Sequence, residues 1–252
     1  MSKETYIILG ACSAIAVATT RRLAARGCRL ILIARDLRRL EEQAQDLRVR
    51  GASDVLVRAM DLVDGADPAT CYAALAEACG DISGILIFYG LLGEQERANT
   101  DTAHALEIID VNFRSTAAWV MEGARLLEAS RAPRRVLLAV SSVAGDRGRR
   151  SNFVYGAAKG GLAILLQGVA HKWAALEHGP RAIVMKLGFV DTPMTAGIEK
   201  SGPLWTKPDR MAVLVENSLN KRGPDIYAPW YWRFIMLIVR FTPTALFNRF
   251  NL

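Results

Sequence analysis

Residues 6–16 read YIILGACSAIA, an apolar run that ends in small residues and leads directly into a helical pattern. This order is typical of the first strand and loop of a dinucleotide-binding unit, in which an apolar strand is followed by a glycine and other small residues and then by a helix. Small residues in that loop let backbone amides and the helix N-terminus approach a pyrophosphate closely. The candidate contact residues are Gly10, Ser13, Ala14 and Ile15. Because Ala14 and Ala16 stand where glycines are usual, an ordinary strand-to-helix turn remains the alternative.

The alternation of apolar runs and helical periodicity continues along the chain. The predicted strands are residues 6–9, 29–33, 55–59, 84–88, 135–141, 182–187 and 225–228. The predicted helices are residues 16–26, 37–48, 69–79, 102–127, 153–176 and 208–219. Continuously apolar strands are covered on both faces, so the pattern favours an α/β fold. We expect a doubly wound, seven-stranded parallel sheet of the Rossmann type with helices on both faces.

Length and composition favour a single domain. The chain has 252 residues, of which 51% are hydrophobic, and can bury a large core. No linker, low-complexity tract or internal repeat divides it. We therefore expect residues 1–228 to form one dinucleotide-binding and catalytic Rossmann domain. Residues 229–252 are expected to form an amphipathic segment that packs on this domain or extends from it.

The cysteines predict reduced thiols and no metal site, because they form no Cys-x-x-Cys pair and no histidine cluster accompanies them. Reduced thiols favour a cytoplasmic location. The apolar stretch over residues 6–18 is interpreted as a strand and a helix rather than a signal peptide. Lys3 alone supplies positive charge ahead of it, and Glu4 cancels that charge.

Small and polar residues stand where four of the predicted strands end. The first strand ends at Gly10, the fourth at Gly90, the fifth at Ser142 and the sixth at Gly188. Ligands bind beyond the carboxyl ends of parallel strands, near the switch in strand order. These positions therefore predict the binding face of the sheet.

Tyr155 and Lys159 lie four residues apart in a predicted helix, which places them on one face. An ammonium next to a phenol favours the ionised phenol and brings its pKa, ordinarily about 10, closer to the pH at which a general acid works. The pair therefore indicates a proton-transfer site. A helix with a buried ring and a surface cation is the alternative interpretation.

The end of the second predicted strand indicates the cofactor. A dinucleotide with a free ribose 2′-hydroxyl calls for an acidic side chain there, whereas a 2′-phosphate favours arginine. Ala34 and Arg35 therefore predict NADP(H), and Asp36 suits an N-cap on the next helix. NAD(H) stays open. So does the question whether Arg38 and Arg39 line the pocket or are solvated.

The chain resembles the short-chain dehydrogenase/reductase family. In that family a serine thirteen residues before a tyrosine and a lysine four residues after it act together, and Ser142, Tyr155 and Lys159 match them. Asn112 matches the family's fourth catalytic position. The resemblance implies that Tyr155 donates a proton and that Lys159 holds the nicotinamide ribose and lowers the pKa of the phenol. It also implies that Ser142 hydrogen-bonds the substrate carbonyl and that Asn112 fixes a water serving Lys159.

The resemblance extends from Gly10 to about Thr195 and implies further contacts with the dinucleotide. The matching positions are Asp61, Leu62, Gly90, Gly188, Val190 and Thr192. The chain also departs from the family pattern. Phe88 and Tyr89 replace an Asn-Ala pair before the glycine, and Leu187 replaces a proline.

Four segments resemble more closely the decaprenylphosphoryl-2-keto-β-erythro-pentose reductases, which reduce a keto sugar carried on a polyprenyl phosphate. They are residues 88–95, 141–150, 188–195 and 228–232. The resemblance implies NADPH-dependent reduction of a polyprenyl-phosphate-linked 2-keto pentose in cell-envelope synthesis, with an oxidase partner that supplies the ketone in a two-step epimerisation. Two other functions stay open. One is a soluble ketoreductase acting on another hydrophobic ketone, and the other is a non-catalytic dinucleotide-binding subunit of a partner enzyme.

Residues 230–241 read WYWRFIMLIVRF and combine aromatic side chains, a short apolar run and flanking arginines. The run is too short to span a bilayer but can lie in the headgroup region on the inner face of the cell membrane. A subunit interface in a homo-oligomer would bury the same residues. The net charge of +7 fits an anionic membrane surface or a phosphate-bearing substrate. Scattered arginines without a recognition motif argue against nucleic acid.

Three arginines, Arg147, Arg149 and Arg150, follow Ser142 closely. A charge run of this kind is usually a solvated loop. The planar guanidinium also suits phosphate, so the other interpretation is that one of the three meets a substrate phosphate.

Overall fold

The structure, a computed structural model, describes residues 4–200, 202–221 and 223–249. The strands are β1 (Thr5–Leu9), β2 (Arg29–Ala34), β3 (Asp54–Ala59), β4 (Gly84–Ile87), β5 (Val136–Ser142), β6 (Arg181–Leu187) and β7 (Asp225–Ala228). The α-helices are α1 (Ala14–Ala25), α2 (Leu37–Val49), α3 (Pro68–Cys79), α4 (Gln95–Thr100), α5 (Thr102–Ile109), α6 (Thr116–Ala129), α7 (Phe153–Ala174), α8 (Pro208–Ser218), α9 (Trp232–Phe241) and α10 (Thr244–Phe247). Shorter turns are the π-helical Asp110–Ser115 and the 3₁₀ turns Val143–Asp146 and Pro193–Thr195.

The strands form one parallel, seven-stranded sheet in the order β3-β2-β1-β4-β5-β6-β7. The predicted doubly wound Rossmann sheet is confirmed. The strand order reverses between β1 and β4, whose pairing runs from Tyr6 opposite Gly84 to Leu9 opposite Ile87. Ligands bind in the crevice at such a reversal. The loops that follow β1, β4, β5 and β6 all reach this edge of the sheet.

Side chains alternate between the two faces of the sheet and fill a separate core on each. Ile8 and Leu32 point into the layer of α1, α2 and α8, whereas Ile7 and Ile31 point into the layer of α3, α6 and α7. Each of these four side chains is buried. Strands covered on both faces need apolar residues at every position, which is why the strands read as continuous apolar runs.

Helix α7 is, among the helices of the described residues, the one whose length and composition would let it cross a bilayer. It packs against β5 and β6, and Leu162, Leu166 and Trp173 are buried in the core. Core packing therefore accounts for its apolar composition. The helix also carries Tyr155 and Lys159 near its N-terminus.

The helix predicted over residues 102–127 is helical throughout but irregular. It consists of α5, the π-helical turn Asp110–Ser115 and α6. The turn holds Asn112, whose Nδ2 donates to the carbonyl of Ile108 at 2.8 Å. Widened turns of this kind occur frequently at functional sites. Helices α4, α9 and α10 lie outside the predicted set.

A buried ion pair joins the edge of the sheet to the turn after Ser142. Lys186 of β6 donates to Asp146 at 2.8 Å, and the two side chains are 7% and 3% exposed. Tyr227 of β7 donates its hydroxyl to the same carboxylate at 2.6 Å. Asp225 lies 3.3 Å from the Lys186 ammonium. A carboxylate buried this far needs such partners, so the network fixes the turn Val143–Asp146 against β6 and β7.

Helix α9 is amphipathic and packs over the same turn. Trp232 and Met236 are buried there and form a small cluster with Val143. Arg147 holds the far end of the helix, because it donates to the carbonyl oxygens of Val239 and Thr242. The outward side of the helix is apolar and exposed. The division of the chain at residue 228 stays a prediction.

Candidate active site

The loop after β1 allows a ligand to approach the backbone closely. Gly10 has a φ of +75°, and a Cβ there would lie 2.7 Å from the amide nitrogen of Tyr89, so glycine is required. Ser13 caps α1 by accepting from the amide of Ala16 at 3.2 Å. Ser13, Ala14 and Ile15 line a cavity at the N-terminus of α1. A helix N-terminus with small residues in front of it fits a pyrophosphate.

A cleft of about 500 Å³ opens beside this loop, over the end of β2. Ala34 ends the strand, and the carboxylate of Asp36 caps α2 by accepting from the amide of Arg39 at 3.1 Å, as the sequence predicted. Arg35 lines the cleft, 3.9 Å from Asp61. Asp36 is therefore engaged in helix capping, and arginine supplies the positive charge at the end of β2.

Arg39 and Arg38 have different environments. Arg39 donates through Nη2 to the carbonyl of Cys12 at 3.0 Å and lines the cleft. Arg38 is exposed and pairs with Glu42 at 2.7 Å, one turn along α2. The structure thus assigns Arg39 to the cleft and Arg38 to the outer surface.

Asp61 and Leu62, predicted near the adenine, line the same cleft. Asp61 accepts from the amide of Val63 at 2.9 Å. The carbonyl of Leu62 accepts from Ser115 Oγ at 2.6 Å and from Trp119 Nε1 at 2.9 Å. These bonds hold the loop after β3 against the helix that carries Asn112.

A cavity of about 350 Å³ continues from the cleft across the ends of β4, β5 and β6. Residues that line both spaces include Ser13, Arg39 and Gly90, so the two are continuous. Ser142, Tyr155 and Lys159 all lie in the wall of the cavity. The structure therefore brings together the three residues that the sequence predicted to act together.

Ser142 is the last residue of β5, and Tyr155 and Lys159 stand one turn apart on α7. Ser142 accepts from the amide of Ala144 at 3.1 Å, which fixes its position. The Lys159 ammonium lies 5.8 Å from the centroid of the Tyr155 ring and donates to the carbonyl of Val140 at 3.1 Å. The strand end and the first turns of α7 thus place hydroxyl, phenol and ammonium in one wall.

The expected lowering of the Tyr155 pKa is not what the structure shows. Burial raises the pKa of Tyr155 to about 12, and a hydrogen bond with Ser142 opposes this rise. Burial also lowers the pKa of Lys159 from 10.5 to about 8. Desolvation is the largest cause of both shifts. At neutral pH Tyr155 is therefore a protonated phenol beside a charged ammonium, which is the state that a proton donor requires.

Gly90 lines both spaces, and the side chain of Asn112 lies beneath it. Asn112 is fully buried and donates to the carbonyl of Leu91 at 2.6 Å, while its Oδ1 accepts from the Leu91 amide at 3.1 Å. A Cβ at Gly90 would lie 2.7 Å from Asn112 Oδ1 and 3.2 Å from Lys159 Nζ. Glycine at this position lets the amide and the ammonium approach the same point. The bound water that the family resemblance implies stays a prediction.

The predicted cofactor residues after β6 line the cavity, and Gly188 among them contacts α9. Gly188, Val190 and Thr192 all lie in the cavity wall. A Cβ at Gly188 would lie 1.8 Å from Trp232 Nε1, so the indole fills the space of a side chain at this position. Trp232 also packs edge-on against Phe189, with 5.3 Å between ring centroids. Sequence reasoning found the glycine but missed this contact, which joins residues 44 positions apart.

The three arginines after Ser142 have three different environments. Arg147 bonds the end of α9, Arg150 is exposed, and Arg149 lines the cavity. Asn152, which sequence reasoning missed, lines the cavity as well. Its position three residues before Tyr155, at the start of a predicted helix, was the available signal.

The chain belongs to the short-chain dehydrogenase/reductase family, since residues 4–202 match the family described as short chain dehydrogenase. It is thus an oxidoreductase that acts on the CH–OH/C=O pair, and the fold binds NAD(P)(H). The glycine at position 10 and the small residues at the N-terminus of α1 fit such a dinucleotide.

Two relatives cover nearly the whole chain. An uncharacterized oxidoreductase of Mycobacterium tuberculosis is 35% identical over 243 residues, 96% of this chain and 95% of the relative. An uncharacterized oxidoreductase of Streptomyces coelicolor is 34% identical over 250 residues, 98% of this chain and 95% of the relative. The crystal structure of a 3-oxoacyl-[acyl-carrier protein] reductase from Brucella melitensis in complex with NAD is similar in fold. Its TM-score is 0.80 at 20% identity, over 93% of this chain and 98% of that one.

Replacing Lys159 by Met is expected to raise the free energy of unfolding at neutral pH while removing the ammonium from the site. Lowering the pKa of Lys159 from 10.5 to about 8 corresponds to a destabilisation of roughly 3 kcal/mol for the charged form. Loss of the bond to Val140 offsets about 1 kcal/mol of the gain. Chemical denaturation of Lys159→Met and the native protein measures the net effect.

The pH dependence supplies the control for this prediction. Between pH 8 and 10.5 the unfolded chain holds a proton on Lys159 that the native protein has lost, so native stability gains with rising pH. The advantage of Lys159→Met should therefore be largest below pH 8 and shrink across that window. Lys207→Met, at an exposed position, is the control and should change the stability little. A pH-independent loss of stability in Lys159→Met would contradict the assignment.

Proposed function

We propose that the protein reduces a ketone to a secondary alcohol with NADPH, and that the substrate is the 2-keto group of a polyprenyl-phosphate-linked pentose. One observation carries the reductase assignment. Ser142, Tyr155 and Lys159 share the wall of a cavity that is continuous with the cleft over the end of β2. A dinucleotide along this cleft and a carbonyl in the cavity would meet at the same three side chains.

In this proposal Tyr155 donates the proton that the substrate oxygen takes up, and Ser142 donates a hydrogen bond to that oxygen. The nicotinamide dinucleotide, when bound, supplies the hydride. Lys159 places a positive charge near the substrate oxygen, on which negative charge develops. Asn112 holds the loop after β4 through its bonds to Leu91. Preorganised donors in a site sheltered from water stabilise a developing alkoxide strongly. The raised pKa of Tyr155 keeps the phenol protonated at neutral pH, which is the form that can donate a proton.

The preference for NADPH over NADH rests on Arg35 and Arg39. Both line the cleft over the end of β2, where Ala34 stands in place of an acid. Arg39 also bonds the carbonyl of Cys12, so it is positioned beside the loop that would hold the pyrophosphate. Guanidinium groups form strong bidentate bonds with phosphate.

Replacing Arg39 by Gln is expected to lower the affinity for NADPH at least about 10-fold relative to NADH, because a charge-assisted bond to the 2′-phosphate is lost. Direct titration of both dinucleotides measures the ratio of their dissociation constants. Because both dinucleotides bind the loop after β1, a general disturbance of that loop affects both dissociation constants and cancels in their ratio. Arg38→Gln, on the outer surface beside Glu42, is the matched control and should leave the ratio unchanged. An unchanged ratio in Arg39→Gln would assign the selectivity elsewhere.

The lipid part of the proposal rests on the outward side of α9. Large apolar side chains repeat at helical spacing there, and Phe234, Ile238 and Phe241 are 57%, 71% and 77% exposed. Arg233 and Arg240 are exposed on the same helix. Apolar side chains flanked by arginines suit the interface of an anionic membrane, where a polyprenyl substrate resides. In this arrangement the protein is peripheral on the inner membrane face.

Flotation with anionic phosphatidylglycerol vesicles tests this contact. Removing residues 229–252 would also remove Trp232 from Gly188, so substitution is cleaner than truncation. The triple variant Phe234→Gln/Ile238→Gln/Phe241→Gln should lose flotation, and Ile164→Gln, at an exposed apolar position on α7, should retain it. Equal flotation of the two variants would remove α9 from membrane binding.

Consumption of NADPH with defined ketones tests the substrate. A polyprenyl-phosphate-linked keto pentose, generated by an oxidase partner of a two-step epimerisation, should be reduced in preference to an acyl thioester ketone or a steroid ketone.

The apolar residues of the cavity, among them Leu92 and Ile198, also favour a second candidate, a ketoreductase for another hydrophobic ketone. Members of the family are commonly homo-oligomers. In the second candidate function, the exposed apolar side of α9 would therefore form a subunit interface instead of a membrane contact. Preference for a thioester or steroid would select the second candidate.

A further inference from the structure

Arg149 is a cation of the cavity wall whose Nε has no partner. It lies between the turn Val143–Asp146 and α7, and it lines the cavity together with Ser142 and Tyr155. Its Nε is buried and forms no hydrogen bond within the described residues. Burial lowers the pKa of Arg149, and the charge of Asp146 opposes this. A buried guanidinium donor without an acceptor costs free energy, which a ligand that supplies the acceptor recovers.

Asn152 presents a second unused polar atom in the same wall. It is the N-cap residue of α7, where an asparagine usually accepts a bond from the first turn of the helix. Its side chain makes no such bond, and its Oδ1 is buried without a partner. The backbone carbonyl alone serves the helix, accepting from Gly156 at 2.8 Å. The Oδ1 acceptor is therefore left unpaired beside the cavity that Asn152 lines.

Much of the surrounding wall cannot satisfy these two atoms. It includes the apolar side chains of Leu92, Val143, Phe189, Met194 and Ile198. Arg147 and Arg150 do not compete for the role, because Arg147 bonds the end of α9 and Arg150 is exposed. The Arg149 guanidinium, a cationic donor, binds best to a negatively charged acceptor. The Oδ1 of Asn152 is an acceptor and can bind a hydroxyl group. A phosphate ester next to a sugar hydroxyl has both groups.

We propose that Arg149 and Asn152 form a subsite for the phosphate group of the substrate, with Arg149 binding the phosphate and Asn152 accepting from an adjacent hydroxyl. The assignment rests on the proposed function in naming a phosphate-linked sugar. It goes beyond that function in naming the side chains that select it. Arg149 is thereby a specificity-determining residue, separate from the groups that contact the reacting carbonyl.

Binding of matched probes to the full chain saturated with NADP⁺ tests the subsite, since the dinucleotide fills the other phosphate-binding cleft. The probes are farnesyl phosphate against farnesol, and ribose 5-phosphate against ribose, titrated by calorimetry. The native protein should prefer the phosphate of at least one pair by about 10-fold or more. Arg149→Gln should abolish this preference and leave the affinity for the neutral probe unchanged. Arg149→Lys, which keeps the charge but loses the planar fork, should restore part of it.

Arg150→Gln is the matched control, one residue away and exposed, and should keep the full preference. Thermal unfolding of each variant reports whether it is folded. A phosphate preference that survives in Arg149→Gln would overturn the subsite, as would its absence from both pairs in the native protein. An Arg149-dependent preference in the ribose pair alone would support the subsite and count against the lipid. Binding of farnesol without any phosphate preference would overturn the subsite and leave the lipid-binding part of the proposed function standing.

Discussion

Tyr155→Phe is expected to lower turnover by roughly 10²- to 10⁴-fold, the range over which a positioned general acid contributes. The Tyr155 phenol lies in the cavity wall, is protonated at neutral pH and stands beside the charged Lys159. Phenylalanine keeps the ring and its packing while removing the hydroxyl. The affinity for NADPH should change by less than about 3-fold, because no charge is removed. Stopped-flow oxidation of NADPH and separate binding titrations measure the two quantities.

Ser142→Ala provides the comparison for this variant. It removes a hydrogen-bond donor rather than a proton donor, so its effect on turnover should be smaller. The hydrogen bond with Ser142 lowers the pKa of Tyr155, so Ser142→Ala should shift the titration of the phenol upward. Turnover of Tyr155→Phe close to the native value would exclude Tyr155 as the acid and, with it, the proposed reductase mechanism.

Lys186→Met is expected to destabilise the protein by about 3–5 kcal/mol, the usual cost of leaving one partner of a buried pair uncompensated. The Asp146 carboxylate would keep the bond from Tyr227 but lose the ammonium that lies 2.8 Å away. For a protein of this size the loss corresponds to a fall in the melting temperature of roughly 10 °C. Chemical denaturation at neutral pH measures the free energy, and calorimetry the temperature.

The electrostatic origin of that loss can be separated from packing by a second substitution. In Lys186→Met/Asp146→Asn no buried charge is left alone, so the double variant should be more stable than Lys186→Met. Lys172→Met is the surface control. It breaks the more exposed pair with Glu128, at 2.7 Å, and should cost no more than about 1 kcal/mol. A double variant as unstable as Lys186→Met would assign the loss to packing instead.

The fold follows from the sequence because continuously apolar runs separated by helical periodicity leave few arrangements that bury both faces of a sheet. The predicted strands differ from the observed ones by at most one residue at either end. Tyr155 and Lys159 were paired because one helical turn fixes their separation, and the family resemblance joined Ser142 to them. Gly10, Gly90 and Gly188 were found because each follows a strand of the parallel sheet, whereas Asp61, Leu62, Val190 and Thr192 came from the resemblance.

Other features depend on contacts between distant parts of the chain. The direction of the Tyr155 pKa shift follows from burial rather than from the spacing to Lys159. Arg147 and Arg149 have different roles because Arg147 bonds the end of α9, whereas Arg149 lines the cavity. The run of arginines in the sequence does not indicate this difference. Asn112 of the π-helical turn likewise bonds the loop after β4, a contact that its position in the sequence does not indicate.

The contact between Trp232 and Gly188 makes the C-terminal helix an inseparable part of the dinucleotide loop rather than an interchangeable appendage. A larger residue at 188 would collide with the indole, and a smaller residue at 232 would leave a hole beneath the loop. Chimeras that exchange this helix between homologues will therefore keep a formed loop only when both positions are transferred together. Evolutionary change at either position is expected to be accompanied by change at the other.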